Sequence, residues 1–375
     1  MPNAMSVAVG SGRRSPGLTP DRAFAPHELD AAQLTDMLQR AGVIDGEQVT
    51  DVRYAAVGTG MASDSYRYEI TYDRPTDAPA TLIGKFPAAD PTSRASGREW
   101  GGYLCEVAFY RDIAHRLAAR LPTCHVAAFD AQTHEFTLIF EDLSPARVID
   151  QVDGCSLADA QTAMHAIAAV HGSSWGKDEF GELDWMRQRK AINQNWFDRL
   201  PQVVETFLAT FADQLESRYR PLVAQLPRVY AGAMGDSSTS PALQHSDFRL
   251  DNLLYEPCGE PGEVAVLDWG TVNFGPPLVD VSYFIGASFD ADQRAAHEED
   301  LVRTYHAALC QYPIGDYGWD DCWRDYRRFC VQGLFIGVAA TQTVERTERG
   351  DRIFLSMVRS ACDQMEQLGT FSAWE

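Results

Sequence analysis

Lysine is nearly absent from this chain: among 375 residues only Lys85, Lys177 and Lys190 carry it. Acidic residues outnumber Lys and Arg, 53 to 32, for a formal net charge of −21. No Lys/Arg run occurs, which argues against the basic patch on which nucleic-acid binding rests. No C-x-x-C occurs among the eight cysteines, and no Cys/His cluster has zinc spacing. The thiols therefore read as reduced and mostly buried. No apolar run approaches the ~20 residues of a membrane helix, and the N-terminus lacks an apolar stretch of signal-peptide length. The expectation is a cytoplasmic protein with neither membrane nor nucleic-acid partners.

What is present is enough for two cores. The hydrophobic fraction is 45% and the charged fraction 23%, a globular composition, and the length suits two domains. Residues 1–25, rich in Gly, Ser, Pro and Arg, read as a disordered tail. LDAAQLTDMLQRA has helical spacing and is closed by Gly42. Residues 50–86 carry three short runs of β-branched and aromatic residues separated by turn residues, predicting three antiparallel strands. Helical spacing of Glu106, Phe109, Tyr110, Ile113 and Leu117 predicts a helix over 98–119. CHVAAFD (124–130) and FTLIFE (136–141) predict two more strands. Beyond Asp142 the pattern turns helical: a long helix capped by Ser156, then 189–226, 290–312 and 319–368, with a flexible loop at 231–241. The fold class expected is α+β and bilobal. A β-rich N-lobe spans 26–142, and a mainly helical C-lobe spans 143–375.

The chemistry concentrates in two segments. QHSDFRLDNLLYE (244–256) holds His245, Asp247 and Asn252 as H-x-D-x-x-x-x-N, and VAVLDWGTVNFGPPLVDV (264–281) opens with an apolar run ending in Asp268. Phosphoryl transfer builds charge on phosphate oxygens, and Mg²⁺ there takes hard oxygen ligands. Asn252 and Asp268 would supply an amide oxygen and a carboxylate. Asp247, on the same loop, would orient an acceptor hydroxyl and take its proton. Because a nucleotide is an anion, so acidic a chain needs a local positive field. Lys85, in the apolar TLIGKF, is the only lysine in the first 176 residues. A glutamate on the next helix would hold it toward the phosphates, and Glu106 fits better than Glu99. GTGMASDS (58–65), with Gly60 and Ser63, sits where a phosphate-covering loop belongs, although it is a poor glycine loop.

Together these residues resemble the aminoglycoside phosphotransferase and choline-kinase-like superfamily, over roughly 45–345. The motifs are E-x-x-F-Y at Glu106–Tyr110, E-D-L at Glu141-Asp142-Leu143, and H-x-D-F-R-x-D-N at His245–Asn252. The resemblance implies a bilobal kinase-like fold with ATP, or GTP, and Mg²⁺ in the cleft. It implies Asp247 as catalytic base, Asn252 and Asp268 as metal ligands, Lys85 as phosphate lysine and Glu106 as its partner. The backbone of 139–142 would be the adenine hinge, with Glu141 and Leu143 at the nucleotide site, and Asp280 would brace the catalytic loop. His245 reads as a structural hydrogen-bonding residue of that loop, and His171 as a packing residue at a helix end. Ser246 departs from the family's glycine, at little cost unless the backbone there needs positive φ. Trp269-Gly270 follows Asp268, and the A-P-E segment of protein kinases is missing, so the acceptor expected is a small molecule with a hydroxyl group.

Two other readings remain. A catalytically silent nucleotide-binding module of the same fold is disfavoured because every catalytic position holds a competent residue. A metal hydrolase built on His245, Asp247 and Asp268 lacks further ligands and leaves Lys85 without a role. The acceptor pocket is expected between the catalytic loop and the helices of 190–230 and 312–340. There Tyr317, Trp319, Trp323 and Tyr326 are either ligand-facing or core.

Overall fold

The computed structural model describes residues 22–58, 63–235, 239–342 and 348–371. Helix α1 (Ala31–Arg40) opens the chain, its N-terminus capped by the Asp30 side chain. Strands β1 (Val49–Val57), β2 (Ser63–Tyr72) and β3 (Thr81–Pro87) form an antiparallel meander. Helices α2 (Pro91–Glu99) and α3 (Gly102–Asp112) follow, then β4 (Cys124–Phe129) and β5 (Phe136–Glu141). The five strands make one antiparallel sheet in the order β1-β2-β3-β5-β4. One face carries Tyr68, Leu82 and Phe86 and is covered by α1 through Leu34, Met37 and Leu38. Alternation along β3 sends Lys85 to the other face, toward α3.

The predicted helix over 98–119 is two helices. It breaks at Gly101, whose φ of +66° lies in the left-handed region. The break sets Gly102 against the chain at Gly270, where an added Cβ would stand 3.5 Å from the Gly270 carbonyl oxygen. The helix ends at Asp112, and a 3₁₀ turn (Ala114–Arg116) carries the periodic apolar residues onward. Residues 22–25, placed in the tail by composition, make two hydrogen bonds to β5: Phe24 N–H donates to Thr137 Oγ1, and that hydroxyl donates to Phe24 O.

The second half is mostly helical. Helix α4 (Leu157–Ser174) starts at the Ser156 cap. Helices α5 (Asp184–Thr210), α6 (Arg220–Ala224) and α7 (Leu226–Met234) follow. Helix α7 thus occupies the start of the segment predicted as a loop, and residues 236–238 lie outside the described residues. Four short strands come next: β6 (Ala242–Gln244), β7 (Leu253–Tyr255), β8 (Val264–Val266) and β9 (Asn273–Gly275). They pair as β6–β9 and β7–β8. Three-residue strands are too short to leave a period in sequence, so β6, β7 and β9 were not legible there. Helices α8 (Leu278–Ser288), α9 (Ala291–Leu309), α10 (Trp319–Phe329), α11 (Val331–Ala339) and α12 (Glu348–Gln367) complete the chain. One large apolar core joins α3 and the inner sheet face to these helices. Among the described residues, no helix is long and apolar enough to cross a membrane.

Candidate active site

Lys85 and Asp268 meet across the two halves of the molecule. Lys85 Nζ lies 2.7 Å from Glu106 Oε1 on α3 and 3.1 Å from Asp268 Oδ1, which follows β8. Glu99, the rival partner, is exposed at the end of α2. Both Lys85 and Glu106 are buried. Burial pushes the Glu106 carboxyl up to about 6, against the downward pull of Lys85. Burial works against the Lys85 charge too, but Asp268 and Glu106 outweigh it and hold the ammonium protonated. Asp268 keeps half of its side-chain surface open. The surrounding protein raises its carboxyl, and Lys85 more than reverses this, leaving it below the ordinary range. Trp269 stacks on Phe109 at 4.0 Å and 7°, which fixes the Asp268 segment on α3.

The loop between β6 and β7 carries the second group of residues. All six backbone polar groups of His245, Ser246 and Asp247 have side-chain partners. Asp280 on α8 accepts from His245 N (2.7 Å) and Ser246 N (2.7 Å). His245 O accepts from Thr271 Oγ1, and Ser246 O from Gln332 Nε2 on α11. Asp247 N donates to His245 Nδ1, and Asp247 O accepts from Asn252 Nδ2. Since His245 Nδ1 accepts, its Nε2 carries hydrogen and donates to Leu267 O at 2.6 Å. His245 is thereby a strut between the loop and the segment leading to Asp268. This cage holds Ser246 at φ +66°. The backbone does need positive φ here, so the serine that replaces the family's glycine carries a real strain.

Asp280 has a third partner that sequence reasoning missed. His171, read as a packing residue, donates from Nε2 to Asp280 Oδ2 at 3.1 Å, and its Nδ1 meets Tyr305 OH at 2.9 Å. Both His171 and Asp280 are fully buried. Nothing in AAVHGSSW signals this, because the contact spans α4, α8 and α9. Arg249, a motif residue without an assigned role, lies 3.3 Å from Asp247 and 2.5 Å from Asp251. Burial disfavours its charge, but Asp247 and Asp251 raise its basicity further still.

Asp247 faces the cleft with a quarter of its side chain exposed. Its Oδ2 accepts from Asn252 Nδ2 at 2.9 Å. Asn252 thus turns its amide nitrogen to Asp247, and its amide oxygen is the atom left to face a cation. Asp268 likewise commits Oδ1 to Lys85 and retains Oδ2. The set is one carboxylate and one amide oxygen, hard donors that suit Mg²⁺. Among the described residues there is no cluster of three or more His, Cys, Asp or Glu able to hold a metal. A two-ligand site matches the habit of Mg²⁺ to complete its shell with phosphates and waters.

The remaining predicted positions fall as follows. Gly60 lies outside the described residues. Ser63 is buried at the start of β2, opposite Pro87. The Glu141 carboxylate is committed to Arg120 Nη1 (2.7 Å) and Thr123 N (2.6 Å), so only its backbone could serve a ligand. The Leu143 side chain is buried, and its carbonyl accepts from Cys258 N. The aromatics of 317–326 turn toward α4, α9 and α12. Trp319 stacks on Trp323 at 5.6 Å and lies under Arg303 of α9. Tyr317 packs on Trp175, and the buried Tyr326 donates to Glu298.

A family model described as ecdysteroid kinase-like matches residues 57–313 of this sequence. The chain belongs to the ecdysteroid kinase-like family. Among curated proteins, acyl-CoA dehydrogenase family member 11 of Mus musculus is 38% identical over 63 residues, 17% of this chain and 8% of that protein. Member 10 of Mus musculus is 55% identical over 42 residues, 11% of this chain. The match therefore spans under a tenth of those relatives' own length, 8% and 4%. Among solved structures, a microcompartment-associated aminopropanol kinase superposes with a TM-score of 0.54 at 15% identity, covering 91% of this chain and 99% of that one. An ethanolamine kinase of Plasmodium vivax gives 0.51 at 8% identity, covering 83% and 82%. The fold of this ecdysteroid kinase-like protein is thus the bilobal fold of small-molecule kinases.

Proposed function

We propose that this chain transfers the γ-phosphate of ATP, or of GTP, to the hydroxyl of a small molecule. The observation that best supports this reading is the Lys85 ammonium held between Glu106 and Asp268, with the caged loop of Asp247 tied to the Asp268 segment through His245 and Leu267 O. Lys85 Nζ would bind phosphate oxygens from the N-terminal side of the cleft. Glu106, buried behind it, keeps the ammonium aimed there. Asn252 and Asp268 would hold Mg²⁺, which when bound neutralises charge on the phosphates. Asp247 would orient the acceptor and take its proton as the acceptor oxygen bonds to phosphorus. The bond from phosphorus to the β,γ-bridging oxygen breaks, and the nucleoside diphosphate leaves. Arg249, salt-bridged to Asp247 and Asp251, would offset part of the carboxylate charge beside the phosphates.

The backbone of 139–142 would receive the nucleotide base, the Glu141 carboxylate being committed to Arg120 and Thr123. The test is release of nucleoside diphosphate over a panel of hydroxylated compounds, with and without Mg²⁺. Turnover that requires both an alcohol and the metal supports the reading. Tight nucleotide binding without turnover on any alcohol would replace it with a silent nucleotide-binding module.

A further inference from the structure

Tyr283 sits on α8, one helical turn beyond Asp280, and only 1% of its surface is exposed. A buried phenol needs a hydrogen-bond partner. Among the described residues its hydroxyl has one, Asp247 Oδ1 at 3.3 Å. The contact is longer than the ~2.7–2.8 Å usual for O–H···O, and catalytic contacts commonly tighten only once substrate is bound. Phenylalanine would fill the same space without burying a hydroxyl, as its neighbour Phe284 does. The hydroxyl is therefore kept for Asp247. Burial, and then the Asp247 charge, hold the phenol well above its ordinary pKa of 10, so it remains a donor.

The two oxygens of Asp247 are loaded unequally. Oδ2 takes Asn252 Nδ2 at 2.9 Å and Arg249 Nε at 3.3 Å, whereas among the described residues Oδ1 takes Tyr283 alone. Two donors drain more charge than one, so Oδ1 is the better proton acceptor. With a donor at each end, the carboxylate plane is also fixed. We propose that Tyr283 is a positioning residue that presents Oδ1 of Asp247 to the acceptor hydroxyl. This rests on the reading of Asp247 as the base.

The experiment is a double-mutant cycle of Tyr283→Phe with Asp247→Ala. Rates are taken per nucleotide-binding site, counted by titration, so that loss of folded protein does not count as loss of turnover. Tyr283→Phe alone should lower kcat for acceptor phosphorylation about tenfold, short of the roughly hundredfold or more lost with the acid–base group itself, and leave the nucleotide KM unchanged. In the Asp247→Ala background the same change should alter the residual rate less than twofold. Its effect on stability should also change sign. It lowers the thermal midpoint when Asp247 is present, and raises it when Asp247 is gone, because a buried unpartnered hydroxyl is then removed. Equal effects in both backgrounds, or an unaltered kcat in the single variant, would overturn the proposal. Full activity of Asp247→Ala by itself would instead overturn the assignment of the base.

Discussion

Replacing Asp280 by asparagine alters one atom in the centre of the catalytic-loop cage. The native carboxylate accepts three hydrogen bonds: His245 N and His171 Nε2 on Oδ2, and Ser246 N on Oδ1. An asparagine that places its oxygen at the Oδ2 position keeps two of them. Its amide nitrogen then faces Ser246 N, donor against donor. The loss is one charge-assisted bond, worth about 1.5–3 kcal/mol net, together with a buried N–H left unpaired. Allowing for relaxation, the expected destabilisation is about 2–4 kcal/mol. For a domain of this size that is a drop of several degrees in thermal midpoint. The kinetic effect follows from the same bond. Ser246 holds φ +66° because its N–H is claimed by Asp280 and its carbonyl by Gln332. Once released, it relaxes toward negative φ and carries Asp247 with it. We expect kcat to fall at least about tenfold, as misplacing a catalytic group by about an ångström does, while nucleotide affinity is kept. Thermal unfolding and steady-state kinetics on one preparation make the check. An Asp280→Asn protein within about 0.5 kcal/mol of the parent, at full kcat, would refute the reasoning.

Three further outcomes follow from other contacts. Ser246→Gly removes the cost of a left-handed serine and should raise stability by up to about 1 kcal/mol, read by denaturant titration; a loss would mean the serine is not strained. Trp323→Leu should cost about 1–3 kcal/mol through lost packing on Trp319 and Tyr326 and leave the acceptor KM unchanged; a raised KM would return Trp323 to the pocket. Glu141 is held below its ordinary 4.5, because Arg120 and Thr123 outweigh the burial that pushes it up. A depressed acid stabilises the fold above its unfolded pKa, and that stability is lost as pH falls through the folded value. The gap in thermal midpoint between parent and Glu141→Gln should therefore be full near neutral pH and shrink below about pH 4; a gap independent of pH would refute it.

The candidate site residues were legible in sequence because the proposed chemistry demands particular side chains at fixed spacing. Lys85 meets Glu106 and Asp268, and Asp247 meets Asn252. The five-stranded sheet was legible for a related reason: its strands are long enough to show alternation. What stayed hidden has no local signature. The break at Gly101 depends on the close approach of Gly102 to Gly270. His171, Gln332 and Tyr283 reach the loop from helices α4, α11 and α8 across long stretches of sequence. Asp280 and Tyr283 do share a helix face at i and i+3, which is the one trace a sequence carries of the second. The aromatic run of 312–335 was legible as core or pocket without a decision between them. The structure packs Tyr317 on Trp175, Trp319 under Arg303 of α9, and Tyr326 against Glu298 of α9 and Gln364 of α12.

The claim that Asp247 drives γ-phosphate transfer to an alcohol is tested most directly by comparing the parent with Asp247→Asn. Formation of the phosphorylated alcohol would be followed with Mg²⁺ and nucleotide at saturation, and nucleotide affinity measured alongside. The account predicts that the parent makes the phosphate ester, and that the variant makes it at least about a hundredfold more slowly while binding nucleotide as tightly. Equal rates in the two proteins would contradict it.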